Sequence, residues 1–162
     1  MDYKLGTHDT LKQKSSEWIF EDISESILLE TSMIDFMTAS RGIGLAANQI
    51  GLSKRIFVMG GFDDFMKPVA IFNPKILETS ETLVDDIEGC LSYPGLWLKV
   101  KRPKEIIVEF LSSQNELKKM QLSGLAARCF QHEYDHLDGI CFVDKVSQLK
   151  LQLAMKKLRK NK

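Results

Sequence analysis

Apolar residues in the first quarter of the chain recur at the spacing of an amphipathic helix. The pattern predicts a helix over roughly residues 24–39, with one face turned toward a hydrophobic core. The apolar positions that carry this prediction are Ile23, Ile27, Ile34 and Met37.

The middle of the chain has the pattern of β-strands. One apolar run is interrupted by Asn73-Pro74, and a Ser-Ser-Gln-Asn turn separates the last two runs. A helical pattern follows these strands, so one α+β domain spanning residues 1–162 is expected. The predicted strands cover residues 55–59, 69–77, 96–100, 106–111 and 116–122.

Composition and charge narrow the class of protein. Of the 162 residues 44% are apolar, and 22 acidic residues balance 22 basic ones, as in an ordinary globular domain. This neutrality gives no support for a specific nucleic-acid binder. No apolar run approaches the length of a membrane span, and the N-terminal residues have no signal-peptide core. Three cysteines in this context favour reduced thiols in a cytoplasmic compartment.

The segment His132-Glu133-Tyr134-Asp135-His136 carries the strongest chemical signal. Residues four apart on a helix share one face, so both imidazoles can bind one metal ion. Glu133 then lies beside that ion, where it can take a proton from water. Ser123 can cap the start of this helix and Gly139 can end it. Histidine pairs at this spacing also occur by chance, but the glutamate in the second position favours a metal site.

A catalytic metal site usually takes three protein ligands and leaves one position for water. The segment supplies two, so a third ligand must come from elsewhere. Phe142 occupies the place where some metalloproteases have a third histidine, and no glutamate follows Glu133. Asp138 and Asp144 are formal candidates only, which directs the search upstream.

The three cysteines are further candidates for the third ligand. Cys129 shares the predicted helix but lies seven residues from His136, and its pattern is typical of core packing. Cys141 lies in an apolar run, which also favours burial. Cys90 follows Gly89 and precedes a Pro-Gly turn, in a setting where the backbone can approach a ligand closely. On the residues alone, Cys90 is only modestly favoured.

The glycine-rich stretch at residues 42–47 offers a rival function. It satisfies a loose dinucleotide-binding pattern, with Asp63 and Asp64 near the distance expected for an acidic partner. That pattern should follow a strand and open a helix, whereas here a helix precedes it and a strand follows. A tight packed turn is the simplest interpretation. A backbone edge that approaches a ligand, with Gln49 as an amide donor, is the functional alternative.

Three segments together resemble the signature motifs of the peptide deformylase family. They are GIGLAANQ at 42–49, EGCLS at 88–92 and QHEYDHLDG at 131–139. Each motif alone is loose, but the three in this order are highly specific. The resemblance extends from about Leu11 to Ser147.

The resemblance implies an α+β fold in which antiparallel or mixed sheets pack around the helix that carries the HExxH motif. It implies that Cys90, His132 and His136 bind one divalent metal, typically Fe(II), and that Glu133 acts as the general base. The implied activity is the removal of the formyl group from N-formylmethionyl nascent peptides, with release of formate.

The resemblance also assigns roles around the metal. The Gln49 side-chain amide and the Leu91 backbone N–H would stabilise negative charge on the formyl oxygen. Ile43, Gly44 and Gly89 would pair with the backbone of the peptide as an added strand.

Two aspects of the implied site are less determined. Two imidazoles and a thiolate also suit Zn(II), Ni(II) or Co(II), so the donors do not select the metal. Glu88 and Asp135 could orient ligands, although a local salt bridge or a solvated helix surface explains them equally well.

Some residues differ from the usual family pattern. Trp97 stands where many bacterial members have arginine, so recognition beyond the methionine is expected to differ. No proline lies around His8-Asp9, where the family commonly has one. Residues 93–97 and Arg128 resemble a compact subset of the family that includes phage-encoded members.

The C-terminal residues are strongly basic. Seven Lys or Arg residues and no acidic one occur from Lys145 to Lys162, and Val146, Leu149 and Leu153 could form an apolar stripe. Bacterial deformylases use a longer basic helix to reach the ribosome, so a weak ribosome contact is conceivable, although a solvated helix face is favoured.

Two other functions remain compatible with the sequence of the whole chain. One is a metal-dependent peptidase, and the other is a structural metal-binding module.

Overall fold

A computed structural model describes residues 3–6, 10–61 and 67–160. His8, Asp9, Asp63, Asp64 and Lys162, which entered the sequence predictions, lie outside this part of the chain. Within the described residues no helix is long and apolar enough to cross a membrane.

The first helix is present where the sequence predicts it, but its buried face differs from the predicted one, because Ile23 and Ile27 are 38% and 42% exposed. Helix α1 spans Ile23–Ala39. Its start is capped by Asp22, whose carboxylate accepts a hydrogen bond from the Ser24 N–H at 2.8 Å and so satisfies a donor that the helix leaves free. The buried face of α1 packs on the larger sheet through Leu29 and Met33, among other residues.

In the described part of the chain, seven strands form two separate sheets. The larger sheet has the order β1-β2-β3-β6-β7, and the smaller one pairs β4 with β5. All neighbouring strands are antiparallel. The strands are β1 (Gly44–Ala46), β2 (Ile56–Met59), β3 (Val69–Thr79), β4 (Leu83–Glu88), β5 (Leu98–Pro103), β6 (Glu105–Leu111) and β7 (Leu117–Ser123).

Helix α2 carries the HExxH motif through the core between the two sheets. It spans Gly124–Leu137 and contacts strands of both sheets. Ser123 stands at the predicted N-cap position, but its side chain makes no capping hydrogen bond. After the helix, Gly139 adopts φ +75°, which favours glycine. The fold is therefore α+β with antiparallel sheets around the motif helix, as the sequence predicts.

The predicted strands correspond to β2, β3, β5, β6 and β7, with β5 displaced from residues 96–100 to Leu98–Pro103. Strand β1 lies in the glycine-rich stretch, where a tight turn was the simplest interpretation. The Asn73-Pro74 interruption does not end β3, but it produces a register shift between Phe72 and Lys75 against β6. Strand β4 was not predicted, because all of its residues except Glu88 are exposed and show no alternation.

The C-terminal helix differs from the predicted stripe. Helix α3 spans Gln148–Lys160, and Leu149 and Leu153 are 67% and 59% exposed. The helix instead packs through Leu151, Ala154 and Leu158 against the cluster around β5. The predicted stripe is wrong because the register of the helix turns residues 151, 154 and 158 inward.

Candidate metal centre and catalytic cavity

The structure brings three predicted metal ligands together. His132 and His136 lie one turn apart on α2, and Cys90 lies on the loop that follows β4. One potential ligand atom from each residue lies within 4.8 Å of the other two. The Cys90 Sγ is 3.3 Å from the His136 Nε2. Two imidazoles and a thiol form a donor set that suits a borderline-soft divalent cation.

The other candidates for a third ligand have different partners. Asp138 forms an ion pair with Arg55 at 2.7 Å, and Asp144 forms one with Lys12 at 2.5 Å. The Cys129 thiol is buried in the core and donates to the Ile43 carbonyl at 3.4 Å. These contacts leave Cys90 as the candidate that faces both histidines.

A buried ionic network lies behind His132. The His132 Nδ1 is 3.0 Å from the Glu88 Oε2. Arg102 donates to both oxygens of Glu88, at 2.5 and 2.9 Å, and Arg128 donates to the Glu88 Oε1 at 2.6 Å. Arg102 also pairs with Asp135 at 2.7 Å. Glu88 and Asp135 are therefore tied to the site through specific partners and do not merely solvate the surface.

The electrostatics of the two histidines differ. Burial alone would lower the pKa of His132, but hydrogen bonds to Cys90 and Glu88 outweigh it and raise this pKa to about 10. Burial and the charge of His132 hold the pKa of His136 well below its ordinary value. Burial opposes ionisation of Glu88, yet its bonds to His132 and Arg102 lower its pKa to about 2. His136 is therefore held as a neutral imidazole, the form that binds a metal ion, and Glu88 stays ionised beside His132.

Glu133 is buried beside this donor set. Its Oε2 has no hydrogen-bond partner among the described residues. Burial raises the pKa of Glu133 to about 7, although the charge of His132 opposes this shift. A carboxyl group with a pKa near neutrality is suited to accept and return a proton.

Gln49 lies on the opposite side of the donor set. Its Oε1 accepts from the Ala46 N–H at 2.8 Å, which fixes the orientation of the amide. Its Nε2 then donates to the Ser92 Oγ at 3.0 Å and to the Cys90 Sγ at 3.4 Å. No described residue accepts a hydrogen bond from the nearby Leu91 N–H.

These groups surround a cavity of about 470 Å³. Ile43 and Gly44 form one border, at the free edge of the larger sheet, and Gly89 lies across the cavity next to β4. A Cβ on Gly44 would overlap the Glu133 carboxylate, so the backbone and the carboxylate are in direct contact. Trp97, which is 66% exposed, lies over Gly89 at the cavity mouth. The cavity is thus bordered by an edge strand on each side.

The polypeptide deformylase family model matches residues 4–152 of the chain. The chain belongs to this family. The match extends beyond the three motifs on both sides and ends within α3.

Two curated deformylases illustrate the likeness in sequence. One from Prochlorococcus marinus strain MIT 9312 is 45% identical over 148 residues, which cover 90% of this chain and 72% of that protein. Another, from Natranaerobius thermophilus, is 43% identical over 150 residues, which cover 90% of this chain and 93% of that protein. Both are named peptide deformylase.

Two solved deformylase structures share the fold. A probable peptide deformylase from Synechococcus phage S-SSM7 has a TM-score of 0.84 and 44% identity, covering 90% of this chain and 100% of the phage chain. A peptide deformylase from Synechococcus elongatus, in complex with actinonin, has a TM-score of 0.88 and 35% identity, covering 96% of this chain and 86% of that chain.

Sequence reasoning missed the arginines that hold Glu88. Arg102 occupies a buried position in β5, in phase with buried Leu98 and Val100. An arginine on the inward face of a strand needs a buried acid as a partner, and this was the available signal. Arg128 was noticed only as a mark of a family subset. It also donates to the Val100 carbonyl at 2.9 Å and so ties α2 to β5.

Proposed function

We propose that this deformylase removes the formyl group from N-formylmethionyl peptides, with Cys90, His132 and His136 as the ligands of one divalent metal. The observation that carries the proposal is the meeting of three donor atoms within 4.8 Å, beside the buried carboxylate of Glu133. The donor set of two imidazoles and a thiol supports the same assignment.

Glu133 is proposed as the general base and general acid. A metal ion held by Cys90, His132 and His136 would supply Lewis acidity, which lowers the pKa of water and polarises a carbonyl group. Glu133 takes the proton from the attacking water and later delivers it to the nitrogen of the departing amine. Burial raises the pKa of Glu133 to about 7, which supports both transfers because the carboxyl group can hold and release a proton near neutrality.

Gln49 and Leu91 are proposed to stabilise the negative charge that develops on the formyl oxygen. The Gln49 amide is held by the Ala46 N–H, so its Nε2 keeps one direction, and the Leu91 N–H has no acceptor among the described residues. Donors fixed before the reaction stabilise a transition state without reorganisation.

The peptide is proposed to bind as an extended strand. Ile43 and Gly44 present the free edge of β1, and Gly89 lies across the cavity. Backbone hydrogen bonds to both sides would hold any sequence of residues, while the cavity would accept the methionine side chain. Gly44 supports close approach, because a side chain there would occupy the place of the Glu133 carboxylate.

Fe(II) is proposed as the native metal. The thiol and the two imidazoles also suit Zn(II), Ni(II) and Co(II), so the metal must be identified by analysis. Anaerobic purification followed by elemental analysis should give about one equivalent of iron per chain. Zinc as the main metal under anaerobic conditions would contradict this choice and leave the ligand set intact.

The decisive test is formate release from formyl-Met peptides. The purified protein should release formate and leave internal peptide bonds intact. Glu133→Ala should retain the metal and lose activity by roughly 100-fold or more. Internal cleavage would favour a peptidase instead. Full metal binding with no hydrolysis of any kind would favour a structural metal module.

Further assignments accompany this function. Residues 1–162 are proposed to form one catalytic domain, because α2 contacts strands of both sheets. A cytoplasmic location is proposed because nascent chains are the substrate, and three free thiols support it. A weak ribosome contact through the basic C-terminus stays a prediction. The exposed basic residues of α3 support it, and salt-dependent co-sedimentation with ribosomes would test it.

A further inference from the structure

The two histidines of the metal centre have unequal partners for their second ring nitrogen. His132 has a carboxylate oxygen of Glu88 at 3.0 Å from its Nδ1. His136 has the Cys141 Sγ at 4.0 Å from its Nδ1. Both rings and Cys141 are buried. A buried ring N–H needs an acceptor, and for His136 the thiol is the hydrogen-bond partner that the described part of the chain provides.

The position of Cys141 is fixed by its backbone. Its N–H donates to the Asp144 Oδ2 at 2.8 Å, and the same carboxylate oxygen accepts from Lys12 at 2.5 Å. Cys141 belongs to the buried cluster that also contains Phe142. The sulfur is therefore held against one edge of the His136 ring, while Cys90 lies at the other nitrogen.

Tyr93 connects this sulfur to the loop that carries Cys90. The Tyr93 hydroxyl is buried, and Tyr93 packs in the same hydrophobic cluster as Cys141 and Cys90. The Tyr93 N–H donates to the Cys90 carbonyl at 2.9 Å. Its ring packs edge-on against Phe142, with 5.5 Å between centroids. Tyr93 and Cys141 therefore lie together on the side of the centre where Cys90 and His136 meet.

We propose that Tyr93 and Cys141 are positioning residues for His136. The Tyr93 hydroxyl donates to the Cys141 sulfur, and that sulfur accepts the N–H of the His136 Nδ1. This arrangement keeps the proton on Nδ1 and leaves the Nε2 lone pair directed toward Cys90. The inference rests on the proposed role of His136 as a metal ligand.

The thiol–phenol pair would also join the Cys90 loop to the segment that follows α2. Sulfur is a weak hydrogen-bond acceptor, so this pair should contribute less to metal retention than the Glu88 carboxylate does at His132.

Metal loss to a chelator tests the proposal, because it does not depend on turnover. The protein is loaded with Co(II), whose visible absorption reports ligand geometry, and mixed with excess chelator. Tyr93→Phe and Cys141→Ala should each release cobalt roughly tenfold faster, at the lower end of the usual effect of groups behind metal ligands. Cys141→Ser should restore part of the retention. The double variant should release cobalt only slightly faster than the faster of the two single variants, because both residues act through the same series of contacts.

Two matched variants control for packing and for loss of a phenol. Val143→Ala removes volume from the same buried cluster, and Tyr134→Phe removes a hydroxyl elsewhere on α2. Both should release cobalt at the wild-type rate with an unchanged spectrum. The proposal is overturned if Tyr93→Phe and Cys141→Ala also do so, or if Val143→Ala releases cobalt as fast as they do.

A third variant separates this inference from the proposed function. His136→Ala should abolish tight binding of Co(II). If it does, while Tyr93→Phe and Cys141→Ala leave metal release unchanged, only the positioning role is wrong. If His136→Ala leaves metal affinity intact, the ligand set itself fails and the positioning role fails with it.

Discussion

Glu88 and His132 are joined through the Glu88 Oε2 and the His132 Nδ1, which lie 3.0 Å apart. The contact couples a metal-ligand candidate to the carboxylate that Arg102 and Arg128 hold in place. A carboxylate fixed in this way sets the orientation of the imidazole and increases its basicity as a ligand. Two predictions about the same residue follow from this contact, one for metal affinity and one for stability.

Glu88→Gln should weaken metal binding by roughly 10–100-fold. The amide keeps the size of the side chain but loses the charge that His132 and the two arginines share. The same variant should lower the free energy of unfolding by about 3 to 5 kcal/mol, because two buried guanidinium groups lose their charged partner. Chelator competition measures the first effect and denaturant unfolding of the metal-free protein the second.

Glu109→Gln serves as the control for Glu88→Gln. Glu109 pairs with the exposed Lys75 at 3.8 Å, so neither metal affinity nor stability should change noticeably. Equal effects from the two variants would contradict the role assigned to the buried network.

Gln49→Ala should lower kcat by roughly 100- to 1,000-fold, with a much smaller change in KM. The reason is that the amide donates to charge that develops only in the transition state. Steady-state kinetics of formate release measure both constants. Ser92→Ala should have a milder effect, because Ser92 contacts only the Nε2 of Gln49. A rise in KM alone for Gln49→Ala would indicate ordinary substrate binding instead.

Gly44→Ala should abolish most activity. An added Cβ would overlap the Glu133 carboxylate and lie 2.8 Å from the Cys129 Sγ, so it must displace the general base. Overpacking of this kind costs about 1 to 3 kcal/mol in stability. Activity and unfolding assays are compared with those of Gly51→Ala, where an added Cβ meets no atom within 4 Å but the φ of +85° is strained. That control should lose some stability and keep its activity.

Asp22→Ala should destabilise α1 at neutral pH and have little effect in strong acid. Hydrogen bonds from the Ser24 side chain and backbone lower the pKa of Asp22 in the folded protein. The carboxylate therefore stabilises the folded protein at pH values above the pKa that Asp22 has in the unfolded state. This stabilisation is lost as the pH falls through the lower pKa of the folded state. Thermal unfolding as a function of pH measures the difference between the two proteins. If the difference in unfolding temperature between the wild type and Asp22→Ala does not become smaller in acid, the carboxylate charge is not responsible for it.

Local patterns in the sequence predicted much of the secondary structure. Helical spacing predicted the extent of α1 but not its buried face, since Ile23 and Ile27 are exposed. Alternation of apolar and polar residues predicted most strands. The spacing of His132 and His136 likewise predicted a shared helix face. Each of these inferences concerns residues that are close together in the chain.

The rest depended on contacts between distant segments. Cys90 could not be chosen by spacing, since the loop after β4 meets α2 only in the folded protein. Strand β4 was missed because it exposes nearly every residue. Arg102 was missed because the predicted strand ended at residue 100, so its place on the inward face with Leu98 and Val100 was not recognised. Motif resemblance supplied the long-range pairing for Cys90, and it had no comparable signal for Arg102.

Among the described strands, none of one sheet is hydrogen-bonded to a strand of the other, and the free edge of β1 and the Gly89 end of β4 face the same cavity. A peptide bound between them would complete a backbone ladder from one sheet to the other. Amides of β4 and of the loop that carries Cys90 should then exchange with solvent more slowly when a non-hydrolysable formyl-peptide analogue is present. Bound substrate would in this way make the Cys90 loop more rigid, so that the metal ligands keep their geometry during catalysis.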